Sequence, residues 1–197
     1  MRIRAQTLLS AMAMAVLWAS GGAWPEQSVW AANALQTGTC NVYPIALSTV
    51  TLRNAQPSTV LADIYNGTQP GNFGWLTWAG SPDEPTLVTS LTPPGNSGTY
   101  VNPTSPADHQ LAPQKTVWGK PGVSNSRGVR DALDVLKTID IVVPVWNTTF
   151  ASGSNVQYHI VDFAIVRLTD YRLPSQNRIS AIYRGRTDCG LGGGGIE

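Results

Sequence analysis

Charged side chains are scarce in this chain of 197 residues. Asp, Glu, Lys and Arg make up 13% of it, roughly half the share of a typical soluble domain. The formal net charge is +1, so no electrostatic signal indicates binding to nucleic acid or to an anionic membrane surface. Gly (19) and Pro (14) are abundant, and Ser, Thr and Asn fill most polar positions. This composition favours an exported β-rich protein over a cytosolic enzyme.

Cysteine and histidine are also rare, with two residues of each. Two isolated histidines do not make a zinc site, and the chain lacks an EF-hand loop, a phosphate-binding glycine loop and a dinucleotide fingerprint. We therefore predict no metal and no cofactor. In an exported protein an isolated cysteine pair is most simply a disulfide. Cys40 and Cys189 are predicted to be bonded, with Cα atoms about 4.4–6.8 Å apart.

The N-terminus has the features of a secretory signal. Arg2 and Arg4 precede an uncharged, mostly apolar run over residues 8–24, and small residues follow, including Ala-Asn-Ala at 32–34. A basic start, an apolar centre and a small-residue cleavage site define such signals. Residues 1–34 are predicted to be a signal peptide, with an uncleaved membrane anchor as the alternative. The mature protein is expected outside the cell or at its surface.

Most of the remaining chain reads as strands. Short runs rich in β-branched and aromatic residues, bounded by turn residues, predict extended structure at 41–52, 59–66, 73–80, 115–122, 139–147, 156–173 and 178–185, with a weaker strand at 86–91. Pro144 indicates a sheet edge or a bulge, and a break in the apolar phase of 156–173 indicates another bulge.

One segment changes to helical periodicity. Val129, Leu133 and Leu136 recur at helical spacing, with Ser124 or Ser126 as the N-cap, which predicts a helix over about 126–138. The predicted fold is therefore mainly β: an antiparallel β-sandwich or barrel-like domain with one short α-helix. It spans 35–188 as a single domain, and the Gly-rich tail 189–197 is predicted to be flexible.

Residues 81–114 are rich in Pro, Gly, Asn, Ser and Thr. They predict a long irregular surface excursion, and such loops are often functional or mobile. We expect partners to bind there or at an exposed edge near Pro144, with a passive loop as the alternative.

The candidate catalytic groups do not form a recognisable set. Ser97 lies in Gly-Asn-Ser-Gly, as in the nucleophile loop of trypsin-like proteases, but both histidines, His109 and His159, follow it, so that family's residue order fails. The motif instead predicts a turn. His109 is predicted to lie in a solvated loop and His159 in a strand. The two carboxylate pairs also have structural explanations. Asp131 and Asp134 share a helix surface, where Asp131 near the helix start suits the helix dipole, and Asp83 and Glu84 share a turn.

Four tryptophans remain outside the leader region: Trp75, Trp78, Trp118 and Trp146. Trp75 and Trp78 are three residues apart, so on one strand they point to opposite faces. Core packing is favoured for most of the four. An exposed one would serve as an interaction site, stacking on a sugar or packing on a partner protein.

Five short motifs, taken in order, resemble the C-terminal region of TadG-like and TadE/G-like proteins, which are associated with assembly of bacterial Flp (tight-adherence) pili. They are YPIAL (43–47), PGNFGWL (70–76), WGKPG with GVRDAL (118–133), IVVPVW (141–146) and YHIVDFAIVRLTDY (158–171). The resemblance implies that PGNFGWL is a structural hairpin. Family members typically carry a membrane-anchored helix and a longer intervening region, so we expect a secreted stand-alone version.

These observations predict a non-enzymatic surface, adhesion or pilus-assembly component that acts through protein–protein contacts, including self-assembly into a filament or surface layer. Nucleic acid is not expected as a partner, and a membrane only if the leader is uncleaved. Two alternatives remain: a carbohydrate-binding module that uses an exposed Trp, and an extracellular hydrolase of unrecognised type.

Overall fold

The computed structural model describes residues 40–64, 72–80, 82–151 and 153–189. The predicted signal peptide and residues 190–197 of the predicted tail lie outside these ranges. Within them, no helix has the length and apolar character needed to cross a membrane.

Seven strands form one sheet, and short helices pack beside it, so the predicted mainly β class is confirmed. The helices are α1 (Thr49–Leu52), α2 (Glu84–Leu91) and α3 (Arg127–Leu136). The strands are β1 (Leu47–Ser48), β2 (Val60–Leu61), β3 (Asn72–Thr77), β4 (Thr116–Pro121), β5 (Ile141–Phe150), β6 (Gln157–Arg172) and β7 (Arg178–Arg186). Strand order is β1-β5-β6-β4-β3, with β7 also on β6 and β2 on β7.

The sheet is curled and mixed rather than a sandwich of two antiparallel sheets. β1 pairs with β5 in parallel, while the other strand pairs are antiparallel. The segment before β1 also bonds to β3: the amide of Ala46 donates to the carbonyl of Gly74 (2.8 Å), and that of Leu76 to the carbonyl of Pro44 (3.0 Å). This segment therefore links the two ends of the curled sheet. Of the two predicted architectures, the barrel-like one is thus closer to the structure.

The predicted strand over 41–52 is only partly confirmed. Strand pairing ends at Ser48, whose side chain accepts a hydrogen bond from the amide of Val50 and caps the helical turn α1. A hydroxyl that bonds to a nearby amide offers the backbone an alternative to the strand ladder. The last third of the predicted strand, Thr49–Leu52, is therefore helical.

Pro144 does not lie at a sheet edge, so that prediction is wrong. It is buried and pairs with Phe163 of β6, while β1 pairs with the next residue, Val145. The alternative, a bulge, is confirmed, because the register shifts between Val145 and Trp146. Register shifts also interrupt the β6–β7 ladder after Ile165, as the phase break in this strand predicted.

The sheet is covered by apolar residues on both faces. Trp75 belongs to a core that includes residues of α2 and α3, which we call the helix-side core. Leu76 and Trp78 belong to a second core with Tyr158, which we call the inner core. Alternation of side chains along a strand produces this division. The prediction that Trp75 and Trp78 face opposite ways is confirmed, and both are buried.

Helix α2 occupies residues predicted as a weak strand, so that prediction is wrong. Asp83 accepts a hydrogen bond from the amide of Thr86 at 2.8 Å and caps the helix, and Pro85 lies in its first turn, where proline is tolerated. Leu87 and Leu91, four residues apart, are then buried together in the helix-side core. The cap and this burial stabilise the helix over the strand.

The predicted helix is confirmed as α3. Ser126, one of the two proposed N-caps, accepts a hydrogen bond from the amide of Val129. Gly128 lets α2 approach closely, because a Cβ atom there would lie 3.1 Å from Cγ2 of Val88. The glycine that weakened the helical pattern is thus explained by packing between the two helices.

The predicted disulfide between Cys40 and Cys189 is confirmed, with Cα atoms 5.4 Å apart. It joins the residue just before the first paired segment to the chain that follows β7, and Cys189 lies in the inner core. A persistent disulfide indicates an oxidising environment, as found outside the cytoplasm.

Candidate functional site

Ser97 is a structural residue rather than an exposed nucleophile. It is buried, begins the short 3₁₀ turn Ser97–Thr99, and its Oγ accepts a hydrogen bond from the amide of Val42 at 3.0 Å. Nδ1 of His109 lies 3.2 Å from the carbonyl oxygen of Tyr100. The prediction that this motif forms a turn is confirmed.

The second half of the 81–114 segment is held by a polar network. Asn102, which is buried, donates to Oδ2 of Asp108 (2.9 Å), and Nζ of Lys115 donates to the same oxygen (2.7 Å). These bonds, the one from Lys115 first, hold the pKa of Asp108 well below its usual range. Tyr100 is fully buried, and its hydroxyl donates to the carbonyl of Thr116 at 2.6 Å. Much of the predicted excursion is irregular beyond α2, as predicted, but it also contributes Tyr100 to the inner core.

The carboxylates singled out in the sequence also have structural partners. Oε1 of Glu84 accepts from the amide of Ser126 (3.0 Å), while Asp131 pairs with Arg127 (3.5 Å) and Asp134 with Lys137 (2.7 Å). Among the described residues, no three His, Cys, Asp or Glu side chains are grouped to hold a metal ion.

A lysine and a serine that the sequence does not connect, Lys120 and Ser124, come closest to a catalytic pair. Nζ of Lys120 donates to Oγ of Ser124 at 2.8 Å, and burial lowers the pKa of Lys120. A lysine of lowered pKa beside a serine is a nucleophile–base arrangement. However, Ser124 is 0% exposed, so its Oγ is closed to a substrate. The pair instead ties the end of β4 to the start of α3.

The four tryptophans differ in what they present. Trp75 and Trp78 are buried. Trp146 packs on the inner core, with its ring edge-on to Tyr158 at 5.2 Å. Trp118 is half-buried on the opposite face of β4, because its neighbour Val117 points into the inner core. Of the four, Trp118 alone belongs to neither of the two cores.

Strand register places Trp118 in a row with two other side chains. Trp118 of β4 pairs with Gln157 of β6, and Gln157 pairs on its other side with Phe150 of β5. Directly paired residues project from the same face of a sheet. Phe150 is 49% exposed. Two aromatic residues thus flank an amide, their backbones two strand spacings, or roughly 9.5 Å, apart.

A second row lies beside the first. His159 pairs with Thr148 of β5, its ring contacts that of Phe150 edge-on at 6.2 Å, and its Nδ1 shares a 2.9 Å hydrogen bond with Oδ1 of Asn147. We call Trp118, Phe150, Gln157, His159, Thr148 and Asn147 the outer platform. None of the six is Asp, Glu, Lys or Arg.

The platform also carries free hydrogen-bonding groups. Within the described part of the chain, the Gln157 carboxamide and the Thr148 hydroxyl have no hydrogen-bond partner. Asn147 and His159 are bonded to each other through one atom each. Donors and acceptors therefore lie between and beside the half-buried ring of Trp118 and the more exposed ring of Phe150.

A second exposed apolar surface lies elsewhere. An open groove of about 450 Å³ runs between α1 and β2, and its lining includes Val50 and Val60, which are 67% and 68% exposed. Nothing in the structure indicates what would cover it.

Of the platform, the sequence singled out Trp118 for binding and His159 only as a strand residue. Gln157 and Phe150 were missed because their relation to Trp118 depends on pairing between distant strands. Comparison with protein-family models, curated proteins and solved structures found no match for this chain.

Proposed function

We propose that this chain is an exported, non-enzymatic component of a bacterial surface that acts in adhesion or assembly through non-covalent binding. The observation that carries the proposal is the outer platform. Trp118 and Phe150 project from β4 and β5, which are both hydrogen-bonded to β6 between them, so the two residues are held in place before a ligand arrives. Rigid aromatic side chains provide contact area with little loss of conformational entropy.

Export is supported by the disulfide, which persists in oxidising compartments, and by the signal-like leader. The resemblance to TadG-like proteins supports a role at the bacterial surface. Binding rather than hydrolysis is supported by the fate of the candidate nucleophiles, since Ser97 and Ser124 are both buried and hydrogen-bonded.

Adhesion by the mature full chain tests the proposal. The double variant Trp118→Ala/Phe150→Ala removes the indole and phenyl rings of the platform. The matched control, Val50→Ala/Val60→Ala, removes two exposed apolar side chains from the groove on another surface. Each is expressed in a strain that lacks the native gene, and surface adhesion is measured after its export and fold are verified by immunoblotting and circular dichroism.

We expect the platform variant to reduce adhesion at least tenfold and the groove variant to leave it within twofold of wild type. Adhesion that survives loss of both rings would overturn the proposal, as would an equal loss in the groove variant.

A further inference from the structure

We infer that the ligand of the outer platform is an uncharged polysaccharide that lies across the strands from Trp118 to Phe150. This inference rests on the proposed function and names the ligand class for the same surface. It depends on three features of the platform: its rings, its free polar groups and its lack of charge.

The rings suit the faces of sugars. A pyranose presents C–H groups on its faces and hydroxyl groups around its rim, so an aromatic ring can cover the face while the rim stays available for hydrogen bonds. Trp118 and Phe150 sit at the two ends of the row. Each offers a large apolar ring surface to a sugar face. The polar side chains between and beside them stay accessible to the sugar hydroxyls.

The polar groups suit the rims. Gln157 lies between the two rings with a carboxamide that can accept through its oxygen and donate through its nitrogen. Thr148 adds a hydroxyl, and Asn147 keeps its amide nitrogen beside His159. A sugar hydroxyl can meet either kind of group. An apolar protein surface pressed on this row would leave the Gln157 amide buried without a hydrogen-bond partner, which is unfavourable.

The charge distribution selects against an anionic polymer. The cationic side chain nearest to Trp118 along β4 is that of Lys120, which is 6% exposed and donates to Ser124 at 2.8 Å. Lys115, just before the strand, is paired with Asp108 at 2.7 Å. On the β6–β7 part of the sheet, Arg167 pairs with Asp140 and Arg186 with Asp162, each at 2.7 Å. Among the described residues these cations are all paired or buried, so an anionic chain on the platform would gain no unpaired counter-charge from them, whereas a neutral chain needs none.

The spacing favours a polymer over a monosaccharide. Because the two aromatic residues are separated by two strand spacings, roughly 9.5 Å, one sugar ring cannot cover both. Linked sugars can contact both at once, and the second contact is then intramolecular and raises the apparent affinity. Binding should rise with chain length and should respond little to salt, because no ion pairs are formed.

Depletion binding to four insoluble neutral polymers tests the inference: cellulose, chitin, granular starch and a β-1,3-glucan. Calcium alginate gel serves as the anionic comparison. The mature full chain is measured beside Trp118→Ala/Phe150→Ala, Phe150→Ala, Gln157→Ala and the groove control Val50→Ala/Val60→Ala. Phe150→Ala keeps the inference testable if the double variant fails to fold, because Phe150 is half-exposed.

We expect wild type to bind at least one neutral polymer, with affinity changed less than twofold between 0.05 and 0.5 M NaCl. The double variant should bind at least tenfold more weakly, the Phe150 and Gln157 single variants at least threefold more weakly, and the groove control as wild type. Failure to bind any of the four neutral polymers, salt-sensitive binding to alginate alone, or binding that survives the platform substitutions would each overturn the inference.

The two proposals fail separately. If the platform variant loses adhesion while wild type binds no neutral polysaccharide, the platform recognises a ligand of another class, and only the ligand class is wrong. If the platform variant adheres as wild type does, the proposed function itself is wrong.

Discussion

Lys120 and Ser124 form a hydrogen-bonded pair that is almost closed to solvent: Nζ donates to Oγ over 2.8 Å, and the residues are 6% and 0% exposed. Burial lowers the pKa of Lys120, while the nearby charges of Glu84 and Asp83 oppose that shift. The pair lies where β4 ends and the N-termini of α2 and α3 approach each other, since Glu84 accepts a hydrogen bond from the amide of Ser126. Its position makes it a structural tie between the sheet and two helices.

Removing the acceptor, Ser124, should lower the free energy of unfolding more than removing the charge of Lys120. Ser124→Ala deprives a buried ammonium of its acceptor and is expected to lower the free energy of unfolding by about 1–3 kcal/mol. Lys120→Met keeps most of the volume without the charge and should change stability by less than about 1.5 kcal/mol. In the Lys120→Met background, Ser124→Ala should lose most of its effect. Urea denaturation of the four proteins measures the coupling, and additive effects would refute the structural tie.

Acid should weaken the network around Asp108. Its folded-state pKa lies below its ordinary value of 3.8, first because of the bond from Lys115 and then because of the bond from Asn102. A lowered pKa means that the carboxylate stabilises the fold fully above the unfolded-state value, near pH 4, and that this stabilisation is lost as the pH falls through the lower folded-state value.

We therefore expect Asp108→Asn to be less stable than wild type at pH 7, with a difference that shrinks steadily below pH 4. Asp131→Asn serves as the control, because its exposed pair with Arg127 should contribute under about 1 kcal/mol. Thermal unfolding of wild type and both variants from pH 2 to 7 measures these differences in stability. A constant difference between Asp108→Asn and wild type over that range would contradict the proposed role of the carboxylate.

The disulfide should be a major source of stability. It joins residues separated by 149 positions, and a cross-link over a loop of that size lowers the entropy of the unfolded chain by an amount equivalent to about 5 kcal/mol in the loop-closure account. Cys40→Ser/Cys189→Ser should shift the urea midpoint strongly downward, and a reducing agent should do the same to wild type. Equal midpoints for oxidised and reduced protein would show that the cross-link constrains little.

The sequence determined those elements whose evidence is local. Helix α3 follows from its apolar spacing and the cap at Ser126, and the β6–β7 hairpin follows from two alternating runs joined by a turn. The disulfide follows from cysteine count and compartment. Where two structures fit one short pattern, the prediction was wrong: Leu87 and Leu91 suit a helix, but six residues are too few for the spacing to exclude a strand. The Asp83 cap and burial in the helix-side core decided for α2.

Only the tertiary structure decided the remaining features, because they depend on which strands meet and in which register. Pro144 indicated an edge or a bulge, and the parallel pairing of β1 with β5 settled the matter. The sequence marked Trp118 as a candidate for binding, but the row that it forms with Gln157 and Phe150 exists because β4 and β5 flank β6 in one register. A slip of one residue would turn each side chain of a strand to its other face, and alternation along a single strand does not fix that register.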